Sequence, residues 1–217
     1  MTEKERMLSG QLYKLPDSEL NALLFRSRKL RRLIAECKEG EIDRKNSLYK
    51  QLLGCVGKKF WIGSPFYCDY GGNIYIGEDF VANYDCIMLD VCPITIGDNV
   101  LLGPRVSIYT AMHPLDAAVR DTRVEYGKPV KIGDSVWIGG SVVINPGVTI
   151  GNRVVIGSGS VVTKDISDNV IAAGNPCRIL RSLTDADRLY WEGRLKYMKA
   201  VKKIYRVIAI LCWTQTV

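Results

Sequence analysis

Aliphatic residues recur at every sixth position from Ile132 to Val162, at Ile132, Ile138, Ile144, Ile150, Ile156 and Val162, and Gly follows four of them directly. A period of six fits neither a helix nor a simple alternating strand, and it is the spacing of a hexapeptide solenoid. Each block through Ser167 holds a short strand, whose branched opener points inward, and a turn for which Gly, Asn or Asp suits the corner. One block cannot bury its apolar side alone, so coils must stack and the aliphatic ladder becomes the core.

The lattice begins imperfectly near Trp61-Ile62-Gly63. One phase carries Ile76-Gly77, Ala82 and Met88, and after a two-residue slip at Asp90 to Pro93 it resumes with Ile96-Gly97, Leu102-Gly103 and Ile108. Between Ile108 and Ile132 it breaks: YTAMHPLDAAVRDTRVEYGKPVK, residues 109–131, reads as a long loop inside a regular repeat, a place where function concentrates. That loop holds His113, the single histidine of the chain. After Ser167 the solenoid is expected to end through Asn169 to Pro176.

The ends follow a helical period. Pro16-Asp17-Ser18 starts a helix with Leu20, Leu23, Leu24, Leu30, Leu33 and Ile34 on one side, which Gly40 should stop, and a second covers Asp43 to Leu53. Residues 184–213 read as one basic amphipathic helix capped by Thr184 or Asp185, with Trp191, Leu195, Met198, Val201, Tyr205 and Ile208 on one side. The expected organisation is therefore an N-terminal helical segment 1–60, a solenoid 61–183 with the loop 109–131, and a helical tail 184–217.

Charge sharpens this division. The net charge of +7 comes from the ends: residues 1–60 carry fourteen basic against eight acidic side chains and 181–217 carry eight against three, whereas 61–180 carry eight against twelve. No basic stripe interleaved with aromatics marks a nucleic-acid reader. Seven cysteines, an odd number without a C-x-x-C pair, imply reduced thiols, and the charged start MTEKERMLSG has no apolar signal core, so the expected location is the cytoplasm.

From Met1 to about Leu183 the chain resembles the maltose/galactoside O-acetyltransferases, a sugar branch of the hexapeptide-repeat acyltransferases. The stretches EKERMLSGQLY, PFYCDYGGNIYIG, DCIMLDVCPITIGDNV, YTAMHPLD, GKPVKIGDSVWIGG, INPGVTIG and GSVVTKDI with AAGNPCRI carry the resemblance in this order. It implies an all-β solenoid core folded as a left-handed parallel β-helix with N-terminal helices and a C-terminal helix. It also implies a homotrimer with active sites between subunits, and transfer of acetyl from acetyl-CoA to a sugar hydroxyl with no metal required.

A sugar hydroxyl is a poor nucleophile, so its attack on a thioester needs a base, a role that suits imidazole. The resemblance makes His113 that base. It places Asn83 at the acetyl and acceptor position and Asp69 at an acceptor hydroxyl, although a corner Asn and a solvated turn Asp fit the same spacing; Asp17 is a further acceptor candidate, in an alignment that can slip by two residues. For the cofactor it puts Trp137 along the pantetheine arm, Gly140 and Ser158 at the pantetheine amides, and Thr163, Lys164, Arg178 and Arg181 near the adenosine and phosphates, where cations suit the negative charge. Galactoside-type members carry a second Asp after the one matching Asp90; here Val91 stands there, as in the maltose type, so glucose or maltose is the expected acceptor.

Other readings share the scaffold. A γ-type carbonic anhydrase needs three zinc-binding histidines, which one His per chain cannot supply. A non-catalytic β-helix module, or a transferase acting on an antibiotic or a polysaccharide or lipo-oligosaccharide sugar, fits the repeat equally. The basic tail suits either an anionic membrane surface or packing on the trimer.

Overall fold

The computed structural model describes residues 1–213, and in the last helix the side chains through Lys199 and at Val201. The chain forms a left-handed parallel β-helix of about six coils, preceded in sequence by helices. Its first side stacks Cys55–Val56, Ile74–Ile76, Ile94–Ile96, Val130–Ile132 and Thr149–Ile150. The second stacks Phe60–Ile62, Phe80–Ala82, Leu101–Leu102, Trp137–Ile138, Val155–Ile156 and Val170–Ala173, with Arg178–Ser182 at its end. The third stacks Phe66–Cys68, Cys86–Leu89, Ser107–Tyr109, Val143–Ile144 and Val161–Val162. The six aliphatic openers from Ile132 to Val162 are each at most 3% exposed, so the ladder is the core.

The slip at Asp90 to Pro93 has a simple geometric meaning. Tyr75 pairs with Cys55 and Thr95, a stride of twenty residues, whereas Lys131 pairs with Thr149, a stride of eighteen. The early coils carry two extra residues at the corner between the third and first sides.

Gly after the opener is explained by a ladder at the next corner. Glu78 N–H donates to Asp98 Oδ1, Asp98 N–H to Asp134, Asp134 N–H to Asn152 and Asn152 N–H to Asp168, at 2.7–2.9 Å. A Cβ on Gly97 would lie 2.1 Å from Asp134 Oδ1, so the coil that receives the carboxylate must lack a side chain there. The N–H bond from Asn152 in turn holds the Asp168 carboxyl below its ordinary range.

At the corner between the second and third sides, backbone meets backbone. A Cβ on Gly103 would stand 2.5 Å from Gly140 N and 2.9 Å from Gly139 C, whereas one on Gly40 meets nothing within 4 Å. Gly103→Ala is therefore expected to destabilise the protein by about 1–3 kcal/mol. Gly40→Ala, with space around it, should change little; comparing the two thermal melts checks this.

The N-terminal segment holds three helices: α1 (Glu3–Leu8), α2 (Ser18–Ala35) and α3 (Ile42–Leu52). α1 forms because Thr2 and Glu5 make a reciprocal capping box. α2 starts at Asp17, whose carboxylate accepts Leu20 N–H at 2.9 Å, and ends at Ala35, five residues before the expected Gly40. The last turn tightens there: Cys37 N–H donates to Ile34 O at 3.2 Å and its thiol to Leu33 O at 3.3 Å, after which Glu41 accepts the Lys38 N–H at 2.8 Å in a separate turn. The solenoid itself starts at Cys55, before Trp61, and its second side continues through Val170–Ala173, which pairs with Val155 and Ile156.

The expected loop 109–131 is largely ordered. Ala111–Met112 pairs antiparallel with Val124–Gly127, α4 (Ala117–Asp121) lies between them, and Tyr13–Lys14 joins as a third antiparallel strand. Met7, Tyr13, Leu20, Tyr70 and Val91 form a small core where this excursion meets the N-terminal segment.

A second compact unit begins at Ser182 and consists of α5 (Asp185–Trp213). Thr184 and Asp187 close its first turn. Leu189, Trp191, Leu195 and Met198 are exposed, while Tyr205 and Ile208 lie outside the described side chains. Among the described residues no helix is long and apolar enough to cross a membrane.

Candidate active site

The predicted site residues sort onto the two edges of the third side. Asp69, Thr163 and Lys164 follow third-side strands, at the corner leading to the first side, and His113 follows the strand Ala111–Met112 that leaves the solenoid at that corner. Asn83, Gly140 and Ser158 follow second-side strands, at the corner leading to the third. The four residues of Cys86–Leu89 separate the two corners by roughly 13 Å of strand. One chain therefore gathers two half-sites and does not bring Asn83 to His113.

The His113 edge is an open cavity of about 490 Å³ lined by Leu15, Pro16, Asn21, His113, Arg120, Asp121, Arg123 and Glu125. His113 leaves the solenoid on the strand Ala111–Met112 and is exposed. Glu125 comes from the antiparallel partner of that strand, and one of its oxygens accepts the Tyr13 hydroxyl at 2.7 Å. Burial first, then Glu125, pushes the Tyr13 hydroxyl far above its ordinary pKa, so it stays a donor. Asp69 lies within the field of Glu125; burial first and that carboxylate next raise its pKa, and Arg31 and Arg28 pull it back. Asp17 lies within the field of Tyr70 beside this cluster, with one oxygen already used as the α2 cap.

Asp90 builds this edge from below. Fully buried, it accepts N–H bonds from Asp69 at 3.0 Å, Tyr70 at 2.9 Å and Asn73 at 3.2 Å, and its carbonyl accepts the Asn73 side chain at 2.6 Å. Burial pushes its carboxyl up to about 7 against the pull of the backbone donors. The two extra residues per coil thus form the turn that holds Asp69 and Tyr70.

The opposite edge is a shallow groove of small residues. Gly63, Asn83, Gly103, Gly139, Gly157 and Ala173 stack at one position of successive coils, so no large side chain fills the corner. Asn83 Oδ1 accepts Tyr84 N–H at 2.8 Å, which leaves its side-chain NH₂ as the group available to a ligand. Among the described residues the Gly140 and Ser158 N–H groups make no hydrogen bond, which suits the amides of an elongated partner. Three coils separate Asn83 from Ser158, a run of about 14 Å. Trp137, 55% exposed, lies beside the groove on the outward column of the second side with Leu101 and Val155. Arg178 is exposed at the end of that side, and Arg181 follows it on the same strand. Among the described residues no cluster of three or more His, Cys, Asp and Glu could hold a metal ion.

Residues 129–164 match the bacterial transferase hexapeptide (six repeats) family, and residues 6–57 match the maltose acetyltransferase hexapeptide capping motif. Galactoside O-acetyltransferase of Escherichia coli K12 is 41% identical, across 88% of this chain and 94% of its own. The chain belongs to the maltose/galactoside O-acetyltransferase family of hexapeptide-repeat transferases. A maltose O-acetyltransferase from Clostridium difficile 630 superposes with a TM-score of 0.84 at 55% identity, covering 85% of this chain and 98% of that one. A galactoside acetyltransferase in complex with coenzyme A superposes with a TM-score of 0.84 at 41% identity, covering 87% and 94%. This acetyltransferase family therefore includes members with coenzyme A bound, and the groove here has the small residues and free N–H groups that fit it.

Glu125 is the site residue that the sequence pattern missed. Its signal was faint: one carboxylate, twelve positions after His113, in the same interruption of the repeat.

Proposed function

We propose that this acetyltransferase moves acetyl from acetyl-CoA to a hydroxyl of a sugar of the glucose or maltose type, in a cytoplasmic homotrimer whose sites form between subunits. The carrying observation is the split of the half-sites across one side of the prism. The His113 edge offers Asp69, Asp17 and Glu125, carboxylates suited to accepting sugar hydroxyls, while the Asn83 edge offers a groove suited to the pantetheine arm. A second copy supplies the missing half to each. Apolar residues on the outward columns support such packing: Trp61, Leu101 and Trp137 on the second side and Tyr67 on the third are all exposed.

In this reading the His113 imidazole takes the proton of the attacking hydroxyl and returns it to the departing CoA thiolate. The Asn83 NH₂ is the donor for the oxygen that gains negative charge, and the Gly140 N–H, two coils along the groove, holds an amide of the pantetheine arm. Thr163, Lys164, Arg178 and Arg181 serve the adenosine and phosphate end. Val91 favours the maltose type of acceptor: it is packed with Met7, Tyr13, Leu20 and Tyr70, where a second carboxylate would be desolvated.

Release of CoA from acetyl-CoA tests the reaction. Release is expected to depend on glucose or maltose and to exceed that with a galactoside; equal release without sugar overturns the acceptor class. Shared sites are tested by co-refolding His113→Ala with Asn83→Ala. Random mixing regenerates an intact His113–Asn83 pair at about a quarter of sites, so activity should return to about that fraction. No recovery in a preparation shown to contain mixed oligomers refutes sharing.

A further inference from the structure

A separate cavity of about 250 Å³ lies between α2 and the first coil. Arg28, Arg31 and Arg32 reach it from successive turns of α2, Tyr49 from α3, and Ser64 and Tyr67 from the first coil. Ile34 and Phe66 contribute apolar wall, and none of the lining residues is acidic. Three polar atoms around it are buried and make no hydrogen bond among the described residues: Arg31 Nε, the Tyr49 hydroxyl and the Ser64 hydroxyl. Tyr49 is only 1% exposed, and its hydroxyl lies within reach of Ser64, a contact that uses at most one of the two hydroxyl protons. A buried donor left without an acceptor is costly, so Arg31 Nε and a hydroxyl proton at one cavity call for a common partner.

The available counter-charge is thin. Arg32 leans toward Glu36 across 3.9 Å at the exposed surface, and Asp69 influences Arg28 and Arg31 from outside the cavity lining. The half-buried Arg31 and two hydroxyls, with Arg28 and Arg32 exposed at the rim, line a space below the ~300 Å³ of drug-sized pockets and suit a compact oxyanion with several acceptor oxygens. We propose that this cavity binds a phosphate group, as inorganic phosphate or a small phosphate monoester. The site is built by α2, α3 and the first coil, apart from both the His113 cavity and the small-residue groove, and the proposal stands whether or not the acceptor reading above is correct.

Thermal melts of the full chain should be recorded against inorganic phosphate at constant ionic strength, with saturating CoA present to occupy the other phosphate-binding residues. A saturable rise in Tm is expected in the native protein, with apparent affinity about tenfold weaker or worse in Arg31→Gln. Ser64→Ala, a milder change that should leave folding intact, is expected to weaken binding several-fold. Glycerol 3-phosphate, a monoester without the sugar ring proposed for the His113 edge, separates the sources in parallel: tighter binding than inorganic phosphate marks an ester, and equal or weaker binding marks the free ion. A rise no larger than chloride gives, or the same affinity in the native protein and in Ser64→Ala, overturns the proposal.

Discussion

His113→Ala is expected to lower the rate of sugar acetylation by about 10²–10⁴ while leaving the melting temperature unchanged. Both halves follow from where the side chain sits. His113 is exposed at the cavity wall, beyond the last core residue of its coil, so its removal takes nothing from the aliphatic ladder. Its ring is the one imidazole of the chain, and the other titratable groups lining that cavity are carboxylates and guanidiniums. A carboxylate is a weaker base toward an alcohol than an imidazole, and a guanidinium offers only donors. The loss should fall on kcat, with the KM for acetyl-CoA held within about twofold, because the groove and its N–H groups lie on the other edge. Steady-state kinetics with maltose and acetyl-CoA check this. A residual rate within tenfold of the native enzyme would remove His113 from the role of base.

What could be read from the sequence depended on how local its cause was. The openers from Ile132 to Val162 repeat because each stacks on its counterpart one coil away, so the spatial rule is also a sequence period. The excursion at 109–131 was visible as a broken period, but its hairpin was not. Its third strand, Tyr13–Lys14, pairs with Val124 and Glu125 from more than a hundred residues away, and no window along the chain contains both. Glu125 was missed for the same reason, since what marks it is the Tyr13 hydroxyl. The early end of α2 illustrates a different limit: Gly40 is a sound stop signal, yet Cys37 tightens the last turn three residues before it. Asn83 and His113 both follow from the family resemblance, and the structure adds that they occupy opposite edges of one side.

Asp90→Ala is expected to be the most damaging single change to the fold around the acceptor edge. It leaves the N–H groups of Asp69, Tyr70 and Asn73 without their acceptor in a buried corner. At about 1 kcal/mol or more for each orphaned donor, the loss is about 3 kcal/mol or greater. For a chain of this size that lowers Tm by roughly 6–12 °C. Titration supplies a second, independent signature. The folded carboxyl titrates at about 7, above its ordinary 3.8, so the fold prefers the protonated form. The stability this preference contributes is fully present below about pH 4 and is lost as pH rises through about 7, a change on the order of 4 kcal/mol. Asp90→Asn stays neutral at every pH and keeps one oxygen for the Asp69 and Tyr70 N–H groups, so its stability should lack that decline. Denaturation across pH 4 to 8 compares the three proteins. Parallel pH profiles for the native protein and Asp90→Asn would mean that the carboxyl is held ionised by its backbone donors, with burial the weaker influence.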